Sequence, residues 1–257
     1  MDITSLQNAR VKQIVRLRDD KKTRKTDGLM LVEGYDEIQL ALSAGHQPRT
    51  LLFSPEIGSR QIIGPTAETL TVSRNVFEKL SYRENPDGWL AIFPMPHSTF
   101  ADLKLGETPF IIVAESIEKP GNLGAILRTA DAAHVDAVLL CDPRVDLWNP
   151  NVVRASRGAL FSVPVIETEN IAALEWLKKH RIRILAATPA ANVDYTDVDL
   201  SEPIAIAVGT EDEGLTDFWL SNAEVKVKIP MMGKVNSLNV SVSTALIVYE
   251  AVRQRSM

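Results

Sequence analysis

Three short stretches carry residue types and spacings that could do chemistry. In residues 121–133, GNLGAILRTADAA, Gly121 and Gly124 flank Asn122, so the chain can turn tightly into a helix with Asn122 near its start. Arg128 follows in the second turn. An arginine within an Ala/Leu/Ile helix needs an anionic partner, either a ligand phosphate or a carboxylate such as Asp131 at i+3. In residues 207–215, AVGTEDEGL, Gly209 ends an apolar run, and Glu211 and Gly214 complete a G-x-E-x-x-G turn before a helix. In residues 229–253, Ile229 and Pro230 lead into a polar loop where Ser237, Asn239 and Ser241 alternate with Leu238 and Val240. Val242, Ala245, Leu246, Tyr249 and Val252 then recur as one helix face. Amides and small polar side chains at a helix start suit a polar, partly anionic small molecule, and equally suit an ordinary capped last helix.

Other chemistries find less support. The Walker glycine-lysine loop and the dinucleotide G-x-G-x-x-G are both absent. His46, His97, His134 and His180 show no metal-ligand spacing, so no metal is expected. The carboxylates of Glu115, Glu118, Asp194 and Asp197 form no pairing pattern for hydrolysis. Cys141 is the one cysteine, which excludes an internal disulfide framework and fits a reducing cytoplasm. No apolar run is long enough for a membrane span, and the N-terminal segment lacks the apolar stretch of a secretory signal. A cytoplasmic protein with no membrane partner is therefore expected.

Net charge is −5, yet residues 1–30 hold eight basic residues against four acidic ones. A basic segment on an acidic body could contact nucleic-acid phosphates locally, or could be a solvated helix face. Arg154 and Arg157 in VVRASRG invite the same two readings.

The elements that must position these residues divide the chain. A first helix capped by Ser5 should run into a polar turn at 21–28, followed by strand LMLVEG and a helix over 35–44. Strands follow at TLLFS, 61–63, 69–73 and WLAIF, with a helix over 75–81. This predicts a small α/β domain over 1–95, a proline- and glycine-containing linker over 96–108, and a second domain over 109–257. In the second domain, apolar runs FIIVA, DAVLL, VPVI, IRILAA, IAIAV and VKVKI alternate with helical stretches. That pattern predicts a mostly parallel sheet covered on both faces, with its ligand site at the carboxyl ends of the strands. Those ends carry Glu115, Asp142, Thr188, Gly209 and Pro230.

Taken together and in this order, the three stretches closely resemble the motifs of the SpoU/TrmH branch of the SPOUT methyltransferases. Those enzymes use S-adenosylmethionine to methylate a ribose 2′-hydroxyl of RNA. The matches run from Asn122 through Arg128 to Ala130, from Gly209 to Gly214, and from Ile229 through Ser237 and Asn239 to Ser241. The resemblance spans residues 109–253. SLQNARVKQIVRL and LVEGYDEIQLAL also look like the ribosomal-protein-like RNA-binding module common ahead of this domain. His134 departs from the family, standing where glycine usually follows the first helix. Histidine can adopt the left-handed conformation, so the departure concerns the helix end more than the chemistry.

The resemblance implies an α/β fold with a deep C-terminal trefoil knot, a homodimer, and RNA as partner, with ribosomal RNA favoured over transfer RNA. It places S-adenosylmethionine against Thr188, Gly209, Ile229 and Leu238. It also assigns activation of the 2′-hydroxyl to Arg128, with Asn122, Glu211, Ser237 and Asn239 orienting the reacting groups. A guanidinium is effectively never deprotonated, so a phosphate held by Arg128 is the better proton acceptor. A catalytically inactive RNA-binding protein of the same fold is the alternative.

Overall fold

The computed structural model describes residues 2–62 and 68–256. The chain forms two compact units: residues up to Pro96 together with Asp146–Ser162, and His97–Val145 together with Val163 onward. Segment 146–162 follows the first strands of the second unit in sequence, yet it packs within the first.

The first unit begins with α1 (Ala9–Asp19), capped by Asn8, whose side chain accepts from the Arg10 amide at 2.9 Å. The cap thus lies three residues beyond Ser5. Residues 21–28 are not a turn but a second helix, α2 (Lys21–Asp27). Asp20 caps it, accepting from the amides of Lys22 and Thr23 at 3.3 and 2.8 Å, and Gly28 ends it at φ 64°. β1 (Leu29–Glu33), α3 (Tyr35–Ser43), β2 (Thr50–Phe53), β3 (Glu68–Thr71), α4 (Arg74–Leu80) and β4 (Trp89–Pro94) follow. The sheet order is β1-β4-β2-β3, with β2 and β3 parallel and the other pairs antiparallel. Leu31, Leu52, Phe77 and Leu90 form its core with Val11 and Ile14 of α1. The strand expected over 61–63 lies partly outside the described residues; Gln61 and Ile62 are not in a strand.

The second unit is a seven-stranded, all-parallel sheet. Its elements are β5 (Phe110–Glu115), α5 (Pro120–Ala132), β6 (Ala137–Cys141), β7 (Val165–Thr168), α7 (Asn170–Lys179), β8 (Arg183–Ala187), β9 (Val193–Asp194), β10 (Ile204–Val208), α8 (Asp217–Asn222), β11 (Val225–Lys228) and α9 (Val240–Arg255). The remaining helix, α6 (Pro150–Ser156), belongs to the first unit. Sheet order is β7-β6-β5-β10-β8-β11-β9. All six predicted apolar runs are strands of this sheet; the two-residue β9 is too short to carry a periodic signal. Ile111, Leu139, Ile184 and Ala205 pack with α7 and α8, while their neighbours Ile112, Leu140, Leu185 and Ile206 are equally buried. Both faces are therefore covered, and α9 packs on α5 and β10. The expected linker is not loose either, because Phe100, Leu103 and Leu105 pack on this core, with Phe100 stacked on Trp176 at 5.0 Å.

His134 sits at φ 54°. Its amide donates to the Asp131 carbonyl at 3.1 Å and the Val135 amide to that of Ala130 at 2.9 Å, closing α5 in a Schellman motif. A left-handed non-glycine residue is strained, and the exposed His134 ring contributes little packing. His134→Gly is therefore expected to raise stability by about 0.5–1 kcal/mol, the relief of left-handed strain less the entropy that glycine adds to the unfolded chain, read as a higher urea midpoint; a lower midpoint would contradict this account of the helix end.

Candidate active site

Every strand of the second sheet points its carboxyl end to one edge, and the three motifs meet there. β10 stops at Val208, and Gly209 turns the chain. A Cβ at Gly209 would collide with the carbonyl of Gly214 and the amide of Leu215, so this position requires glycine. The turn is closed by reciprocal bonds between Thr210 and Gly214, at 3.0 and 3.1 Å. Glu211 projects from it half-buried.

The Glu211 carboxylate gathers the motifs. Asn122, in the first turn of α5, donates its amide to Glu211 Oε1 at 2.8 Å. Asn239 donates Nδ2 to the same oxygen and, at 3.1 Å, to Asn122 Oδ1. Lys119 Nζ pairs with Glu211 Oε2. The Lys119 ammonium and then the Asn122 amide hold the Glu211 carboxyl below its ordinary range, while Glu211 in turn raises Lys119. With both oxygens occupied by donors, Glu211 is a weak base suited to orienting other groups. The residues and spacings of the motif did not single out Lys119, which immediately precedes the helix.

Asn239 does two jobs. Its Oδ1 accepts from the amide and hydroxyl of Ser241, at 3.0 and 2.6 Å, capping α9, while its amide nitrogen reaches Glu211 and Asn122. The capped last helix and the polar site are thus one arrangement.

Beside this network lies a cleft of about 300 Å³, within the size range of small-molecule sites. Thr188, Gly209, Ile229, Ser237 and Leu238 all line it. Its floor is apolar, with Leu215, Val227 and Ile247, and its rim is backbone and small polar side chains. A smaller depression on the other side of Glu211 is lined by Lys119, Asn122, Arg144 and Val240.

Arg128 stands apart. Six helical residues after Asn122, it lies about 9 Å along α5 and roughly a third of a turn around it, and it lines neither depression. It is exposed, and among the described residues it forms no ion pair. Glu115, by contrast, is structural: buried at the end of β5, it accepts from Asn170 at 3.0 Å and from the Thr216 hydroxyl and amide at 2.7 and 2.9 Å. Cys141 is buried, which pushes its thiol up and leaves it inert. Among the described residues no cluster of metal-ligating side chains occurs, and no helix is long and apolar enough to cross a membrane.

The N-terminal basic residues divide. Arg24 is buried against Asp146 at 2.6 Å, and Arg18 is spent on Asp19 and the carbonyls of Lys79 and Ser81. Lys12, Arg16 and Lys22 remain exposed around one shallow depression.

Residues 109–249 match the family model of the SpoU rRNA methylases, and residues 8–91 match that of an MRM3-like substrate-binding domain. The chain is 28% identical over 247 residues to the 23S rRNA (guanosine(2553)-2'-O)-methyltransferase RlmP of Bacillus subtilis, covering 96% of this chain and 97% of that one. A crystal structure of an RNA 2'-O ribose methyltransferase superposes with a TM-score of 0.90 at 42% identity, covering 100% of both chains. The SpoU methyltransferase AviRb of Streptomyces viridochromogenes, solved with AdoMet, superposes with a TM-score of 0.89 at 28% identity, over 97% of this chain and 99% of that one. With its three motifs converging on Glu211 and more than half its length matched by the family model, this chain belongs to the SpoU rRNA methylase family.

Proposed function

We propose that this protein transfers the methyl group of S-adenosylmethionine to a ribose 2′-hydroxyl of ribosomal RNA. The observation that carries the reading is the convergence of Asn122, Glu211 and Asn239 at the mouth of a cleft lined by Thr188, Gly209, Ile229 and Leu238. The cleft fits the methyl donor chemically, with apolar side chains for the adenine ring and backbone groups and small hydroxyls for its polar edges. When bound, the donor supplies an electrophilic methyl on a sulfonium, and the residues described here do the rest. Glu211 fixes the amides of Asn122 and Asn239, which leaves Asn239 Oδ1 to hold the start of α9 and the Ser237–Leu238 loop against the cleft. Alignment of the hydroxyl oxygen with the methyl carbon is the main contribution such a site can make, about 7–11 kcal/mol at best. Arg128, exposed and without an ion pair among the described residues, holds a phosphate of the RNA, which accepts the hydroxyl proton as alkoxide charge develops.

The protein acts as a cytoplasmic homodimer in this reading. Val242, Leu246 and Tyr249 form an exposed apolar stripe on α9, at 47%, 38% and 49% exposure, opposite the buried Ile247, Val248 and Ala251. Such a stripe supports burial by a second copy. The loop between β11 and α9 is threaded as a trefoil knot, a reading supported by the return of α9 to α5 and β10, elements far earlier in the chain.

Calorimetry with S-adenosylmethionine and methyl transfer to total RNA, followed by mapping of the 2′-O-methyl sites lost on gene deletion, tests the reading. Binding followed by transfer to ribosomal RNA is expected. Transfer confined to transfer RNA would move the substrate, and binding without transfer would favour an inactive RNA-binding protein.

A further inference from the structure

The first unit holds an arginine cluster that the methyl-transfer site does not use. It is built on two buried carboxylates, Glu33 and Glu37, at 7% and 3% exposure. Glu37 pairs with Arg83 at 2.8 Å and Arg157 at 3.8 Å, and Arg83 also donates to the Glu33 carbonyl at 2.8 Å. Gly34 makes room for this arrangement, since a Cβ there would collide with Glu37 and Arg83. Glu33 accepts from the Ser81 hydroxyl and, at 2.7 Å, from the Tyr82 amide. The Tyr82 backbone is thereby fixed while its side chain remains 44% exposed. Asn151 of α6 donates to the Tyr82 hydroxyl at 2.6 Å and accepts from Arg154 at 3.2 Å. Arg154 and Arg157 are exposed, and among the described residues no carboxylate pairs with Arg154.

We propose that this surface takes a single-stranded stretch of RNA, with an unpaired base stacked on Tyr82 and the adjoining phosphates on Arg154 and Arg157. The proposal deepens, and rests on, the reading of RNA as substrate. A ring pinned through its backbone and hydroxyl loses little entropy on stacking, and every base offers a face to it. The guanidinium forks suit phosphate oxygens, and the two carboxylates on which the cluster is built are buried and already engaged. The segment bringing Arg154 and Arg157 belongs by packing to the first unit, which makes them part of one surface with Tyr82.

The test uses the full-length protein and a single strand of about twelve nucleotides containing 2-aminopurine, with a blunt duplex of the same length as comparison. Tyr82→Leu is expected to weaken single-strand binding roughly tenfold and to abolish aminopurine quenching, with duplex binding unchanged. Tyr82→Phe keeps the ring and should keep both signals. Arg154→Gln combined with Arg157→Asn, which tolerates the φ of 54° at that position, should flatten the salt dependence of single-strand binding by about 1.4 log units per log unit of salt. Equal losses for duplex and single strand in Tyr82→Leu, or a phenylalanine variant as impaired as the leucine one, would overturn the proposal. Intact Tyr82-dependent quenching in a protein that methylates no RNA would sustain this surface while overturning the proposed activity.

Discussion

Arg128→Ala is expected to reduce methyl transfer by at least about 10²-fold while leaving the dissociation constant for S-adenosylmethionine unchanged. The expectation follows from where Arg128 lies. It contacts no part of the donor cleft, so the cofactor should not register its loss. It is exposed and free of ion pairs among the described residues, so the fold should not register it either. What remains for a cation on this helix is an anion supplied by the substrate. Arg128→Lys separates charge from geometry: an ammonium preserves the charge but not the planar fork, so partial recovery indicates a phosphate clamp. Single-turnover methylation alongside calorimetry checks both variants. Unchanged turnover in Arg128→Ala would remove the residue from the mechanism.

Gly209→Ala should have the opposite signature. Its new methyl group meets backbone atoms of Gly214 and Leu215, which cannot swing aside as the end of a side chain could. The turn must open, displacing Glu211 from Asn122 and Asn239 and moving the wall of the cleft. Overpacking of this kind costs about 1–3 kcal/mol, and S-adenosylmethionine affinity should fall by tenfold or more, on the order of 1.4 kcal/mol. Gly214→Ala is the control. Gly214 sits at φ 72° with open space around it, so alanine there costs strain of about 1–2 kcal/mol and leaves the Gly209 turn unobstructed. If isothermal titration finds Gly209→Ala binding the donor as tightly as the native protein, the turn does not shape the cleft as described.

The sheet was legible because a parallel strand buried on both faces announces itself as a continuous apolar run, and six such runs became six strands. His134 drew notice only because the family usually has glycine there; the structure makes it left-handed, closing a helix with bonds to residues within five positions. Less legible were α2, whose polar sequence carries no periodic apolar face, and the segment 96–108, whose proline and glycine content hid the packing of Phe100 and Leu103.

The residues of the candidate site were named from the resemblance of three ordered motifs to the family's, and that resemblance supplied their orienting roles; residue type alone made Gly209 a turn and Asn122 a helix start. Sequence could not say which of them touch. Asn122, Glu211 and Asn239 are brought into hydrogen-bonding range by the strand order, which sets β5 beside β10 and returns α9 to α5. Tertiary structure alone decided that Arg128 stands outside that network, that Lys119 belongs in it, and that residues 146–162 pack with the first unit. The reason is physical. Local propensity and periodicity are encoded within a few neighbouring residues, whereas a contact between residues a hundred positions apart depends on how whole elements bury their apolar faces.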